Sequence, residues 1–259
     1  MPSLEAYKRD LDYSYAPGIF PTIEALINAP GRVRRVLVSS QTGKSEGLQR
    51  IEALCREHRV RIETADKALS RLSGKDNCYA AAVFSKSQAD LDGQRNHLVL
   101  HHPSDAGNLG TMLRTALGFG YLDVVLIRPC TDVYHPHVVR ASMGAIFSLR
   151  VREFDEFETY RSCYPDHALY PFMLKGSVPL SEAAAVPQKP FALVFGNEGS
   201  GLPDEFLEYG TPVRIPHSER IDSLNLSVAA AIGMYEMNNG GRYETLERKI
   251  QQKYQQPDG

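Results

Sequence analysis

The sequence predicts an α/β protein in which an open parallel sheet is preceded by a smaller α/β unit. Short apolar runs of strand length alternate with stretches of helical periodicity along most of the 259 residues. A glycine-rich loop, Gly196 to Gly201, follows directly on the apolar run Phe191 to Phe195, the position at which open α/β sheets hold ligands. A polar stretch from Ser85 to Arg95 divides the chain into residues 1–93 and 94–259, and its composition allows the two units to move relative to one another. Periodicity alone implies an ordinary doubly wound sheet.

In the first unit, Val33 to Val38 reads as a strand, Gly43 to Arg59 as an amphipathic helix and Val60 to Thr64 as a second strand. Asp66 to Leu72 follows as a short helix and Tyr79 to Phe84 as a strand. In the second unit the strand Leu98-Val99-Leu100 leads to Asn108, which stands where a helix N-cap would, with Leu109, Met112, Leu113 and Ala116 as the apolar face of that helix. Leu122 to Ile127 is a strand and Pro136 to Phe147 a helix. After Phe191 to Phe195, a strand Val213-Arg214-Ile215 is ended by Pro216, and a helix of small residues begins near Ser223 and runs to Met237. The charged, glutamine-rich stretch Arg242 to Gln256 reads as an exposed C-terminal helix.

Composition narrows the class of protein. Hydrophobic residues at 42% support a sizeable core and exclude a largely disordered chain. The apolar runs are far shorter than the roughly 20 residues that span a bilayer, and Met1 to Lys8 lacks an apolar signal region, so a cytoplasmic protein is expected. Cys55, Cys78, Cys130 and Cys163 have no paired spacing, and neither His101-His102 nor His135-Pro136-His137 stands beside clustered carboxylates, so no metal site and no disulfide framework is expected. The net charge of −2 divides into +2 for residues 1–93 and −4 for the remainder. Arg32, Arg34 and Arg35 form one basic cluster and Arg56, Arg59 and Arg61 another, either of which suits phosphate contact.

Three blocks carry the chemistry. The first is Asn108-x-Gly110-x-x-x-Arg114-Thr115-Ala116, in which Arg114 lies off the apolar helix face. The second is Gly196-Asn197-Glu198-Gly199-x-Gly201-Leu202, where glycines allow positive φ or close backbone approach around one carboxylate. The third is Ile215-Pro216 with Ser223-Leu224-Asn225-Leu226-Ser227-Val228-Ala229, in which core packing accounts for the small residues but not for Asn225.

In order and separation these blocks resemble the three signature motifs of the SpoU (TrmH) family of RNA 2'-O-ribose methyltransferases, over residues 94–240. The resemblance implies a SPOUT fold, a parallel α/β sheet with a C-terminal trefoil knot, behind an L30e-like RNA-recognition domain. It implies S-adenosylmethionine as cofactor, rRNA or tRNA as substrate, and a homodimer. Carried over by position, Gly196, Ile215 and Leu224 line the cofactor site with Asn225 nearby, and Arg114 is the catalytic residue. A guanidinium stays protonated, so its role is to hold the target phosphate and stabilise a developing alkoxide rather than to act as a simple base. Asn108, Glu198, Ser223 and Asn225 match residues that orient the arginine, the ribose or the cofactor. A structural carboxylate bonded to loop amides is the other reading of Glu198.

Two departures stand out. His217-Ser218-Glu219 replaces a segment that in many members ends in glycine, and Asn77-Cys78-Tyr79-Ala80 replaces an Asn-His-Gln-Gly sequence before the last strand of the first unit. Glu219 is the feature that favours the alternative function, a non-catalytic RNA-binding or ribosome-assembly protein on the same fold. A nucleotide-cofactor oxidoreductase fits poorly, because the glycine loop comes late in the chain rather than in the first βα unit.

Overall fold

The computed structural model describes residues 5–41, 43, 45–73 and 78–239, so the expected helix Arg242 to Gln256 lies outside the described residues. The first unit runs β1 (Tyr13–Pro17), α1 (Ile19–Asn28), β2 (Val33–Val38), α2 (Glu46–Glu57), β3 (Ile62–Thr64), α3 (Asp66–Ser73) and β4 (Ala80–Ser85). Its four-stranded sheet has the order β1-β4-β2-β3, with β4 antiparallel to both neighbours and β3 parallel to β2. Ala80 to Phe84 are all buried, which explains why this run is apolar without alternation: the strand is covered on both faces. Ser45 caps α2 by accepting from the Leu48 amide, so the helix begins at Glu46 rather than near Gly43.

The second unit continues with β5 (His97–His101), α4 (Ala106–Phe119), β6 (Asp123–Ile127), α5 (Pro136–Ala141), β7 (Arg150–Phe154), α6 (Phe157–Cys163) and β8 (Ala168–Pro171). It ends with β9 (Val178–Pro179), α7 (Leu180–Ala185), β10 (Phe191–Phe195), β11 (Val213–Arg214) and α8 (Leu226–Asn239). Five strands form a parallel sheet in the order β7-β6-β5-β10-β8, and β9 and β11 pair in a small parallel ribbon. Every residue of β5, β6 and β10 is buried. One face packs against α4, α5, α7 and α8 through Leu109, Met112, Val138, Leu180 and Ala230, and the other against α6 and the turn at Phe206. The chain builds outward from β5 in one direction through β6 and β7 and returns to its other side as β10. The crevice where strand order reverses therefore opens between the C-terminal ends of β5 and β10. No helix among the described residues is long and apolar enough to cross a membrane.

Three further helix boundaries differ from expectation. Asp105, not Asn108, caps α4, its carboxylate accepting from the Asn108 amide at 2.7 Å. The helix expected over Pro136 to Phe147 stops at Ala141, because Met143 (φ 54°) and Gly144 (φ 84°) turn the chain in the left-handed region before a short 3-10 turn at Ala145–Phe147. That turn is wedged against the first unit: a Cβ on Gly144 would stand 2.7 Å from Glu24 Cβ and 3.1 Å from Pro21 Cα, both on α1. The last helix starts at Leu226, and Asn225 rather than Ser223 caps it, accepting from the Ser227 and Val228 amides at 2.9 and 3.3 Å. Of the elements, β1, α1, β7, α6, β8, β9 and α7 have no counterpart in the sequence reading.

The two units are docked, which the composition of the 85–95 linker did not suggest. Arg32 donates to the Ser85 carbonyl at 3.0 Å, and its guanidinium lies over the rings of Phe84, Tyr134 and Phe147, drawn from both units. Arg9 bonds the Cys130 carbonyl and Glu153, and Ser14 donates to the Tyr134 carbonyl. Within the first basic cluster Arg32 is thereby held in the packing between the units, while Arg34 pairs with Asp12 at the surface and Arg35 with Glu63. Arg61 of the second cluster also pairs with Glu63, while Arg56 and Arg59 are exposed.

Helices α4 and α5 cross at Gly110, where a Cβ would stand 2.4 Å from Ala141 Cβ and 2.9 Å from both the Ser142 nitrogen and the Val138 oxygen. Backbone atoms cannot give way as a flexible side chain does. Gly110→Ala is expected to cost roughly 1–3 kcal/mol in urea unfolding, the usual range for overpacking. Unchanged stability would show that α5 is free to shift.

Candidate active site

The reversal crevice brings together the three blocks read from the sequence, and one carboxylate joins two of them. Glu198, in the loop after β10, accepts from the Ser104 amide and hydroxyl at 3.1 and 2.8 Å and from the Asp105 amide at 3.1 Å. These donors precede α4, so the carboxylate sits at that helix's N-terminal end, where negative charge is favoured. Asn108 Nδ2 donates to Glu198 at 3.5 Å, and Asn108 Oδ1 accepts from Asn225 Nδ2 at 3.1 Å. Through the capping bonds of Asn225, a continuous line of hydrogen bonds runs from the glycine loop across the start of α4 to the start of α8.

Burial alone would raise the Glu198 pKa, but the hydrogen bonds from Ser104, the loop amides and Asp105 outweigh it and hold the carboxyl below its ordinary value. The group is ionised at neutral pH and is a weak proton acceptor. Glu198 does bond loop amides, as its structural reading supposed, and it also lines the crevice.

The loop is shaped by only some of its glycines. A Cβ on Gly196 would fall 2.2 Å from the Gly201 carbonyl carbon, so close approach excludes a side chain there. Gly201 has φ 68°, whereas Gly199 is under neither constraint. Asn197 closes the loop on itself: its Oδ1 accepts from the Gly199 and Ser200 amides at 2.9 and 3.2 Å, and its Nδ2 donates to the His102 carbonyl at 2.8 Å. Asn197 stands in the second block without an assigned role, and Ser104 lies just before the first block. An asparagine inside a glycine turn is the signal that would have found the first. His101 is buried behind this point with its pKa pushed down to about 4 by burial and by the stacked His102, so it stays neutral as a sheet-end group.

Beside the loop lies a cavity of about 390 Å³, within the range of about 300–1,000 Å³ of small-molecule sites. Its inner wall includes Phe172 and Phe195, whose rings stack 4.1 Å apart, with Gly233 of α8 against both. Gly196, Glu198, Ile215, Ser223 and Leu224 line it, while at its edge Asn108 bonds Glu198 and Asn225 bonds Asn108, neither asparagine being part of the wall. His217 lines the cavity and its Nδ1 donates to the Ile215 carbonyl at 2.9 Å. Glu219 is exposed and absent from the lining. Arg114 projects from the third turn of α4, exposed and without a hydrogen-bond or ion-pair partner among the described residues. Among the described residues no group of three or more His, Cys, Asp and Glu is placed to hold a metal ion.

A parallel α/β sheet with a cavity at its reversal point places the chain among open-sheet α/β proteins, which bind ligands at that position. The chain belongs to the SpoU rRNA Methylase family, whose model matches residues 95–235. An uncharacterized tRNA/rRNA methyltransferase of Synechocystis sp. is 33% identical over 54% of the chain and 51% of its own length. The 23S rRNA (guanosine(2553)-2'-O)-methyltransferase RlmP of Bacillus subtilis is 29% identical over 83% of the chain and 84% of its own length. The chain thus spans about half the length of the first relative and most of the second. The crystal structure of an AdoMet-bound rRNA methyltransferase from Sinorhizobium meliloti superposes with a TM-score of 0.75 at 26% identity, covering 88% of this chain and 87% of that one.

Because the Glu198 pKa is depressed in the folded protein, its contribution to stability is complete above its unfolded value of about 4.3 and is lost as pH falls through the lower folded value. Glu198→Gln is therefore expected to be less stable than the parent above about pH 5, with the gap narrowing toward pH 3. Urea midpoints across that range would measure it, and a gap independent of pH would mean that the negative charge is not what the loop amides hold.

Proposed function

We propose that the chain transfers a methyl group from S-adenosylmethionine to a ribose 2'-hydroxyl of rRNA or tRNA. The observation that carries this reading is the hydrogen-bonded line Glu198–Asn108–Asn225, which holds three loops around the 390 Å³ cavity and fixes the helix that bears the unpartnered Arg114. The wall fits the cofactor: Phe172, Phe195 and Leu224 offer apolar surface for an adenine, and the Gly196–Gly201 backbone and Ser223 offer polar groups. Gly196, Ile215 and Leu224 would hold it, with Asn225 acting through Asn108 at the edge. The bound cofactor supplies a methyl group already activated on a positively charged sulfur.

The chain's own part is to bring the ribose into line and to manage charge. Arg114 holds a substrate phosphate through the paired N–H groups of its guanidinium and stabilises the oxyanion that develops as the hydroxyl gives its proton to solvent water. Asn108, held at its oxygen by Asn225 and at its amide by Glu198, orients the start of the same helix. Ser223 stands at the cavity wall, free of helix capping, to meet ribose or cofactor. Glu198 positions and does not take the proton. The position of Glu219 outside the cavity removes the feature that favoured a non-catalytic protein.

The same reading extends to architecture. Residues 94–259 form the SPOUT domain with its C-terminal trefoil knot, supported by α8 lying across α4 and α7, and residues 1–93 an L30e-like RNA-recognition domain. The protein acts in the cytoplasm, where its RNA is. A homodimer is supported by the exposed stripe Val228, Ile232 and Tyr235 on α8, at helical spacing beside α4.

Two experiments test this. Labelled methyl transfer to unmodified rRNA and tRNA, with nucleoside analysis, is expected to yield 2'-O-methylated ribose. Arg114→Ala should lower kcat by about 10²–10³-fold with cofactor affinity within about twofold, the size of losing one oxyanion-stabilising donor. No transfer by the parent, or an unaltered kcat in the variant, would overturn the reaction or the role. Ile232→Asp is expected to convert a dimer to a monomer in light scattering, and a monomeric parent protein would remove the dimer from the proposal.

A further inference from the structure

A second cavity, of about 590 Å³, lies where the first unit meets α5 and shares no lining residue with the first. Tyr15, Leu72 and Pro136 give it an apolar wall, and Arg71 of α3 and Arg140 of α5 approach it from the two units. Neither guanidinium has a hydrogen-bond or ion-pair partner among the described residues, whereas Arg34, Arg35 and Arg61 in the same first unit are all paired. Among the described residues Glu5 is the single carboxylate in the lining, against Arg71, Arg140, His135 and His137. Two unpaired guanidinium groups converging on an apolar hollow suit a ligand with a flat apolar body and an anionic group.

Resting on the reading of the chain as an RNA methyltransferase, we propose that this cavity takes one unpaired nucleotide of the substrate RNA, distinct from the nucleotide that is methylated. Its base lies against the apolar wall and its phosphate meets Arg71 and Arg140. The cavity's place makes this reachable by one RNA strand. The helix that bears Arg140 packs through Ala141 and Val138 onto Gly110 of α4, four residues before Arg114. Arg140 and Arg114 therefore stand on two helices in direct contact. Because one wall is α3 and the other α5, the cavity depends on the docking of the two units that Arg32 maintains.

The test uses the full chain and unmodified rRNA and tRNA transcripts. RNA binding is followed over a salt series for the parent, Arg71→Gln, Arg140→Gln and the double variant, with S-adenosylmethionine binding measured by calorimetry on each. The double variant is expected to bind RNA about tenfold or more weakly, with the log–log salt slope reduced by about two, one for each phosphate-neutralising side chain, and with cofactor affinity unchanged. RNA affinity and slope equal to the parent's would overturn the inference while leaving the methyltransferase reading intact. A free mononucleotide has the same chemistry, so AMP and UMP binding is measured in parallel. Their loss in the double variant with RNA affinity unchanged would assign the site to a free nucleotide and also overturn it. A parent protein that takes up no S-adenosylmethionine would instead sink the functional reading on which the inference rests.

Discussion

The carboxylate of Glu198 is the point on which the site depends. It satisfies two backbone amides and a hydroxyl at the start of α4, and through Asn108 and Asn225 it reaches the start of α8. Unpaired amides at a helix N-terminus are costly when withdrawn from water, and a charged acceptor meets that need more strongly than a neutral one. The cavity wall on one side, the glycine loop and the helix carrying Arg114 take their relative positions from this set of bonds. The tight turn at Gly196, which admits no side chain, brings the carboxylate to where those amides are.

Much of the fold was legible because buried parallel strands leave a plain trace. Val124 to Ile127 and Phe191 to Phe195 are apolar at every position, and they are central strands. Two edge strands were not legible for the complementary reason. The strand Arg150–Phe154 at the rim of its sheet mixes charged and apolar residues, and Tyr13–Pro17 carries Pro17 at its end, so neither looks like a strand without its neighbours. Pro136 to Phe147 reads as one helix by periodicity, yet contact with α1 at Gly144 turns it, and that contact joins residues more than a hundred positions apart. Tertiary packing, not local propensity, decides such cases.

The site was legible as a set of loops and less so as a set of bonds. Gly196, Ile215, Ser223 and Leu224, from two of the three motifs, line one cavity. The cap assignments were wrong by a few residues, because Asp105 and Asn225 are as good caps as Asn108 and Ser223 and only the three-dimensional partners choose between them. The surroundings of the first basic cluster were not legible for another reason: a count of arginines does not reveal that Arg32 lies among three rings and that Arg35 faces Glu63. The pair Arg71 and Arg140, separated in sequence and adjoining one cavity, forms no cluster a linear reading would notice.

The adjacency of β5 and β10 has a bearing on the order in which the protein comes into being. Central strand β5 acquires its second neighbour only after nearly a hundred further residues, and Asn108 meets Asn225 across a separation of 117. As the chain leaves the ribosome, the strands β5, β6 and β7 emerge in succession and pair locally, while the β10 side of the sheet and the Asn225 end of the hydrogen-bonded line await the last part of the chain. Contacts at such separation form slowly, since a long loop must close before they reward it. A nascent chain stopped before residue 225 would carry all five strands of the parallel sheet and the helix bearing Arg114, yet lack the Asn225 end of the hydrogen-bonded line, so the site is assembled only after its scaffold.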